Sequence, residues 1–175
     1  MIKTKFIKIP GSDSSMADCP VTQALWQKIM GNNPSYFKGD NHPVETVSWE
    51  DCQEFIKKLN NRQKKFVYRL PTEKEWGMCA SSCDNQNIDK IAWSYEDSNN
   101  STQEVKAKLP NKLGFYDMLG NVWEWCADAD GSYRVIRGGG WGSNARNLRA
   151  GNRNYWRPSN RNGGVGFRLV RTAVP

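Results

Sequence analysis

The side chains able to do covalent or metal chemistry are few. Five cysteines stand at positions 19, 52, 79, 83 and 126, no two in C-x-x-C spacing, and the one histidine is His42. A zinc site needs grouped thiolates and imidazoles, so this set argues against one. The odd count leaves at least one thiol unpaired within the chain. Cys52 falls on the apolar face of a predicted helix, where a buried free thiol is the better reading. Asp117, Glu124, Asp128 and Asp130 are the candidate ligands for a structural calcium ion, since hard cations take carboxylates. Their spacing fits no compact loop motif, and bonds to backbone or Arg are the better reading for Asp117 and Glu124. Gly138-Gly-Gly140 lacks the lysine of a phosphate-binding loop. No cofactor other than such a calcium is expected.

Recognition chemistry is much better represented, and it is concentrated in the last third. Six Asn fall between Ser143 and Gly163, interleaved with Ser, Gly, Tyr and Arg. These types combine adaptable hydrogen bonding with rigid aromatic area, the composition of antibody-like binding surfaces. They are poor helix and strand formers, so a surface built of turns is expected. Between Gly131 and Pro175 there are nine Arg, no Lys and no acid, whereas the rest of the chain carries 16 basic and 18 acidic residues. Arginine without lysine points to planar, multidentate hydrogen bonding or stacking. Bracing of irregular loops is the favoured reading over nucleic-acid binding, which a basic tail otherwise suggests.

The elements that must hold this surface are legible upstream. Residues 5–10 read as an opening strand and 11–16 as a loop. A helix is predicted over 21–30, capped by Thr22, with Leu25, Trp26 and Ile29 on one face. A second spans 47–59, capped by Ser48, with Glu50 and Asp51 in its first turn and Cys52, Phe55, Ile56 and Leu59 as its apolar stripe. Residues 66–70 read as a strand stopped by Pro71, and Thr72 with Glu75 forms a capping box opening a short helix to Ala80. Residues 81–106 read as irregular and mobile apart from 91–93. Strands are expected at 122–125, 133–137 and 167–171. The sum is α+β: two main helices on a small mixed or antiparallel sheet, about half the chain in loops, within one domain over 1–175. Eight Trp supply large apolar bodies for the core. No apolar run is long enough to span a membrane, and the first residues lack the apolar core of a signal peptide.

Val21-Thr-Gln, Pro34-Ser-x-Phe37, Pro43-Val-x-x-Val-Ser-Trp49, Arg69-Leu-Pro-Thr-Glu-x-Glu-Trp76, Gly114-x-Tyr-Asp-Met-x-Gly-Asn-Val-Trp-Glu-Trp125, Arg137-Gly-Gly and Gly166-Phe-Arg168 follow one another in order. In these motifs the chain resembles the formylglycine-generating-enzyme, or sulfatase-modifying-factor, family. The resemblance implies a C-type-lectin-like fold, with a shorter stretch than usual between Pro10 and Val21. Enzymes of that family place reactive, copper-handling cysteines shortly after the Gly-Gly turn. Ser143 and Leu148 fall about there, and a hydroxyl and an alkyl group cannot hold Cu(I) as thiolates do. Iron-dependent sulfoxide synthases of the same fold use a histidine cluster, and this chain has one His. The resemblance therefore implies no enzyme of either kind.

The last third also resembles the variable proteins of diversity-generating retroelements. Trp141, Ala145 to Asn147, Arg149, Asn152-Arg153, Pro158, Asn160-Arg161 and Gly166 to Arg168 match their constant pattern. In such systems a reverse transcriptase scrambles adenines, so Asn codons become Ser, Gly, Tyr, Asp or Arg but never stop. Residue by residue, the resemblance implies a ligand-binding, variable region over about 141–168. Its changeable positions are Gly142, Ser143, Asn144, Asn154, Tyr155, Trp156, Arg157, Ser159, Asn162, Gly163 and Gly164. For Gly142, Gly163 and Gly164 a turn needing positive φ is an equally good reading. Asn162 fits either a changeable or a structural role. Tyr155 and Trp156 have no obvious core to fill, and with Arg157 they are the expected hot spot. The implied protein is a non-enzymatic display protein, exposed on a cell or particle surface and held there, if lipid-anchored, by a segment absent here. It is expected to be monomeric and to bind a protein or other macromolecule rather than nucleic acid. The alternative is a formylglycine-generating-type oxygenase or accessory subunit.

Overall fold

The computed structural model describes residues 3–83 and 87–174. Two four-stranded sheets carry the chain, in strand orders β1-β2-β8-β3 and β6-β5-β4-β7. The first joins the two ends of the sequence: β1 (Phe6–Lys8), β2 (Ser15–Ala17), β3 (Phe66–Arg69) and β8 (Val170–Ala173), all antiparallel. The second holds β4 (Trp123–Asp130), β5 (Tyr133–Arg137), β6 (Arg153–Trp156) and β7 (Val165–Gly166), with β7 parallel to β4 and the other pairs antiparallel.

The helices form where their caps predict. In α1 (Gln23–Met30) the Thr22 hydroxyl accepts from the Leu25 N–H. In α2 (Trp49–Asn61) and α3 (Glu73–Ala80), Ser48 with Asp51 and Thr72 with Glu75 complete capping boxes. α4 (Ile88–Ile91) is a single turn.

The second sheet is buried on both sides because β5 alternates. Val135 packs into a core with Ile9, Met16, Trp76, Phe115 and Met118. Its neighbour Ile136 points to the other core, with Trp26, Phe55, Trp125 and Phe167. There Trp26 stacks on Phe55 at 5.2 Å between centroids, and Phe167 meets both rings edge-on.

One ion pair ties the sheets together. Arg168 and Glu124 are both fully buried; Arg168 Nε donates to Glu124 Oε2 at 2.7 Å, and Nη2 donates to Oε1 at 2.6 Å. The remaining donors of Arg168 reach the carbonyls of Ala17, Tyr116 and Asp117, and Trp76 Nε1 donates to Glu124 at 2.8 Å. Every polar atom of the pair is thus occupied, the condition under which a buried ion pair persists.

Several expectations change. Residues 15 and 16, expected as the end of a loop, lie in β2, and the final strand starts at Val170 rather than 167. The segment expected to be mobile is irregular but closely tied: Ser98 Oγ donates to Trp141 O, Tyr95 N–H to Ser143 O and Gln103 N–H to Asn121 Oδ1. Its residues 84–86 lie outside the described residues.

Candidate functional site

The candidate residues sit on one closed loop. Leaving β5, the chain turns at Gly138 and Gly139, with φ of 99° and 78°, reaches Trp141, and comes back to it at Gly163 and Gly164. Trp141 Nε1 donates to Gly163 O at 2.9 Å and clasps the neck. Between those points the loop is fastened from outside at short intervals. Leu148 and Ala150 enter the core around Trp76. Arg137 donates to Ala150 O, and Arg153 bridges Glu73 and Asp130. The Trp49 N–H at the start of α2 donates to Pro158 O, Arg161 pairs with Asp51, and the Thr46 N–H donates to Asn162 O.

Within the loop the changeable candidates fall into two groups. Gly142, Ser143, Asn162 and Gly164 line a hollow of about 180 Å³ with Trp123, Gly140 and Trp141, and Asn144 and Gly163 adjoin it in the chain. Asn154, Tyr155 and Trp156 lie on β6, followed by Arg157 and Ser159. β6 and β7 are opposite edges of the second sheet, so three strand spacings, roughly 14 Å, separate β6 from β7, the strand that Asn162 and Gly164 lead into. Residues 157–162, running past the start of α2, join them.

Two expectations about this segment are corrected. Residues 153–156 form a strand rather than a turn, because β5 supplies partners: Val135 faces Tyr155, and Arg134 faces Trp156. Strand alternation then sends the two aromatics to opposite faces. Tyr155 is 48% exposed and lies against Tyr133, 5.5 Å between ring centroids. Trp156 packs against the core containing Phe55 and Phe167, so it does have a core to fill. Tyr155 and Trp156 therefore do not share one exposed aromatic face.

The glycines separate into two kinds. At Gly139 a Cβ would collide with Leu148 Cδ2, at Gly120 with the Trp93 carbonyl, and at Gly166 with the Val44 carbonyl; at Gly138 it would lie 2.7 Å from Met118 O. At Gly120, Gly138 and Gly166 the obstruction is backbone and cannot give way; at Gly139 it is the end of the Leu148 side chain, and the positive φ adds strain. Gly142 has nothing within 4 Å of a built Cβ, Gly163 nothing nearer than 3.5 Å, and Gly164 meets the Asn162 side chain at 3.3 Å. None of these three has positive φ. The turn requirement weighed from sequence therefore does not apply to them. Gly151, which was not a candidate, is equally open.

Some candidate side chains also hold the backbone. The Gly140 N–H donates to Ser143 Oγ at 3.1 Å, and the Gly164 N–H to Asn162 Oδ1 at 2.9 Å. Asn144, Asn154, Arg157 and Ser159 are exposed.

Two exposed aromatics beside the hollow come from elsewhere in the chain and escaped the sequence reading. Tyr36, 75% exposed, places its Cβ 3.6 Å from a built Cβ on Gly163. Tyr95, 58% exposed, is bonded through its N–H to Ser143 O. Phe37 packs edge-on between Tyr36 and Trp141. Beneath them lies Glu45, fully buried, accepting from Phe37 N–H and Thr46 Oγ1. Burial pushes its carboxyl above the usual range despite those bonds. Thr46 has a φ of 60°, a rare conformation for a β-branched residue. A single aromatic residue between turns gives no sequence signal that it borders a distant loop.

Catalytic and metal chemistry find little here. Ser143 Oγ and Leu148 Cδ2 both crowd the same face of Gly139, so the two positions implied for copper-handling thiols do stand side by side. Their hydroxyl and methyl groups do not fit copper. All five cysteines are buried, and burial raises the Cys19 and Cys79 thiols to about 12. The four carboxylates considered for calcium have separate partners. Asp117 accepts from Lys106 N–H and Asn121, Glu124 pairs with Arg168, Asp128 accepts from Glu73 N–H, and Asp130 pairs with Arg153. Among the described residues no group of three His, Cys, Asp or Glu could hold a metal ion, and no helix is long and apolar enough to cross a membrane.

Residues 4–173 match the sulfatase-modifying factor enzyme 1-like domain. The chain belongs to that family. Its relatives include the chaperone protein LppX of Paenibacillus barcinonensis, 30% identical over 74% of this chain and 70% of LppX. A formylglycine-generating enzyme of Thermomonospora curvata is 30% identical over 68% of this chain and 45% of the enzyme, so the chain spans under half of that relative's length. Among solved structures, Treponema denticola variable protein 1 superposes with a TM-score of 0.83 at 27% identity, covering 99% of this chain and 92% of that one. The Major Tropism Determinant U1 variant superposes with a TM-score of 0.62 at 14% identity, covering 92% of this chain and 51% of that one, a likeness of fold. These matches bear out the resemblance to both the sulfatase-modifying-factor family and the variable proteins, and with it the C-type-lectin-like fold.

Proposed function

We propose that this family member is a display protein: the loop over residues 141–164 presents exchangeable side chains to a macromolecular ligand, and the chain performs no catalysis of its own. The observation that carries the reading is the contrast among glycines. Where the family motifs hold a glycine, at Gly138 and Gly166, a backbone carbonyl stands where a Cβ would go; where the variable-protein pattern is changeable, at Gly142 and Gly163, a side chain fits. The external fastenings supply the second requirement. A backbone positioned by Leu148, Pro158 and Trp141 does not depend on what is displayed at Gly142, Asn144, Tyr155 or Arg157, although Ser143, Trp156 and Asn162 add fastenings of their own, and a preformed surface also lowers the ordering cost of binding. Exposure on a cell or particle surface follows as part of this reading.

The test is a library in which the eight candidate positions other than Ser143, Trp156 and Asn162, whose side chains help hold the loop, are replaced together by residues that adenine scrambling of Asn codons can reach. Most members are expected to fold, scored by resistance to protease, and different members should recover different binders from one peptide library. Collapse of most members would sink the proposal. The coding locus offers a check: a reverse transcriptase beside a near-copy of the stretch for residues 141–168, differing at adenines.

Family membership favours one other reading, a formylglycine-generating-type oxygenase. Copper binding coupled to oxidation of a peptide cysteine would establish it, and the Ser143 and Leu148 pair predicts neither.

A further inference from the structure

Six of the nine arginines after Gly131 are committed to the fold. Arg134 and Arg171 lie over aromatic rings, and Arg137, Arg153, Arg161 and Arg168 each pair with a carboxylate. The other three, Arg146, Arg149 and Arg157, are exposed, and their guanidinium groups make no ion pair or hydrogen bond among the described residues. Arg157 is a changeable candidate. Arg146 and Arg149 belong to the constant pattern, and they stand on the stretch that joins the hollow to β6, between the two groups of changeable residues.

We propose that Arg146 and Arg149 are a standing cationic part of the recognition face, which biases it toward protein partners that present carboxylates, whatever the changeable positions display. This rests on the display reading above. Complementary charge raises association rates and sets partner choice even where it adds little affinity. A guanidinium offers a planar fork matched to a carboxylate. The same loop shows that chemistry within the chain, where Arg161 Nε and Nη2 meet the two oxygens of Asp51 at 2.7 and 2.8 Å. A nucleic-acid partner fits less well. Glu96 accepts from the Ala145 N–H beside Arg146, and Glu73 and Asp130 flank Arg153, so a continuous phosphate backbone would meet carboxylates at both sides. Separate carboxylates on a protein surface can avoid them.

The test is selection from a phage-displayed library of constrained random peptides. The intact protein should recover peptides with about twice the Asp and Glu content of the starting library. Arg146→Gln/Arg149→Gln should return that content to the starting value without moving the melting temperature, since neither side chain bonds the fold. Lys57→Gln/Lys64→Gln removes the same charge at the far end of α2 and should leave the enrichment in place. The inference is overturned if the intact protein shows no acidic enrichment, if the arginine variant keeps it, or if the lysine variant loses it equally. Displacement of a recovered peptide by single-stranded DNA at a lower concentration than by polyglutamate of equal charge would also overturn it. Asn154→Ala/Tyr155→Ala should change which peptides are recovered while preserving their acidity. Unchanged peptides in that variant would count against the display reading and not against the arginine pair.

Discussion

At the scale of single residues, the informative question is what each position forbids. Gly166 and Gly142 look alike in sequence, yet one is walled in by the Val44 carbonyl and the other faces open space. Gly142→Ser should change stability by no more than about 0.5 kcal/mol, as surface substitutions usually do. Gly166→Ser should cost upwards of about 3 kcal/mol, because the obstruction is backbone that cannot rotate away. Urea denaturation of the two variants decides it, and equal losses would remove the basis of the display reading. Asp117 makes a different residue-scale prediction. Burial raises its carboxyl to about 6, against the lowering effect of the Lys106 N–H, Arg168 and Asn121. The unfolded value is about 3.9. Between those pH values the folded chain holds a proton that the unfolded chain has released, so this group makes stability fall as pH rises from about 4 to 6. Asp117→Asn should remove that component. The difference in unfolding free energy between variant and parent should move in the variant's favour over that window and stay flat above pH 7.

At the scale of elements, legibility tracked how local the determinants are. α1, α2 and α3 were readable because a cap and an apolar stripe lie within a dozen residues, and Thr22, Ser48 and Thr72 cap as expected. β2 and β6 were not, because Ser-Met-Ala and Arg-Asn-Tyr-Trp carry no alternation; β8 and β5 make them strands. The site was legible to the same extent. Residue types marked the 141–164 loop, but the outward turn of Tyr155, the inward turn of Trp156 and the approach of Tyr36 and Tyr95 depend on pairings remote in sequence. The start of α2 shows one such dependence. Asp51 closes the capping box through Ser48 N–H and also receives Arg161 from the loop. Burial works to raise its carboxyl, but the Arg161 and Ser48 bonds outweigh that and hold it low. Asp51→Asn should weaken both and cost about 1 to 2 kcal/mol. The loss should appear in hydrogen exchange as faster exchange at the Trp49 and Thr46 amides, whose acceptors are Pro158 and Asn162. A stability loss with those two amides unchanged would mean that the helix and the loop are not coupled through this residue.

At the scale of the whole molecule, the loop is fastened to both cores at once. Leu148 and Ala150 belong to the core around Trp76, Trp156 and Val165 to the core around Phe55, and the second sheet lies between them. Releasing the loop would open both, so it should not come away alone, even though its length and polarity suggest a flexible appendage. Trypsin supplies the test, because Arg146 and Arg149 are exposed and neither is followed by proline. Cleavage needs several residues of extended backbone, and the fastenings leave no such stretch free. Cutting after these arginines should therefore require opening with a free energy close to that of global unfolding, of order 5 to 15 kcal/mol. Cleavage rates across a urea series should then report the same opening free energy as fluorescence of the buried tryptophans. Fast cutting in native buffer, with tryptophan fluorescence unchanged, would show a loop that opens locally. Such a loop would have to be ordered by each ligand it met, and the framework described here would not be what positions its side chains.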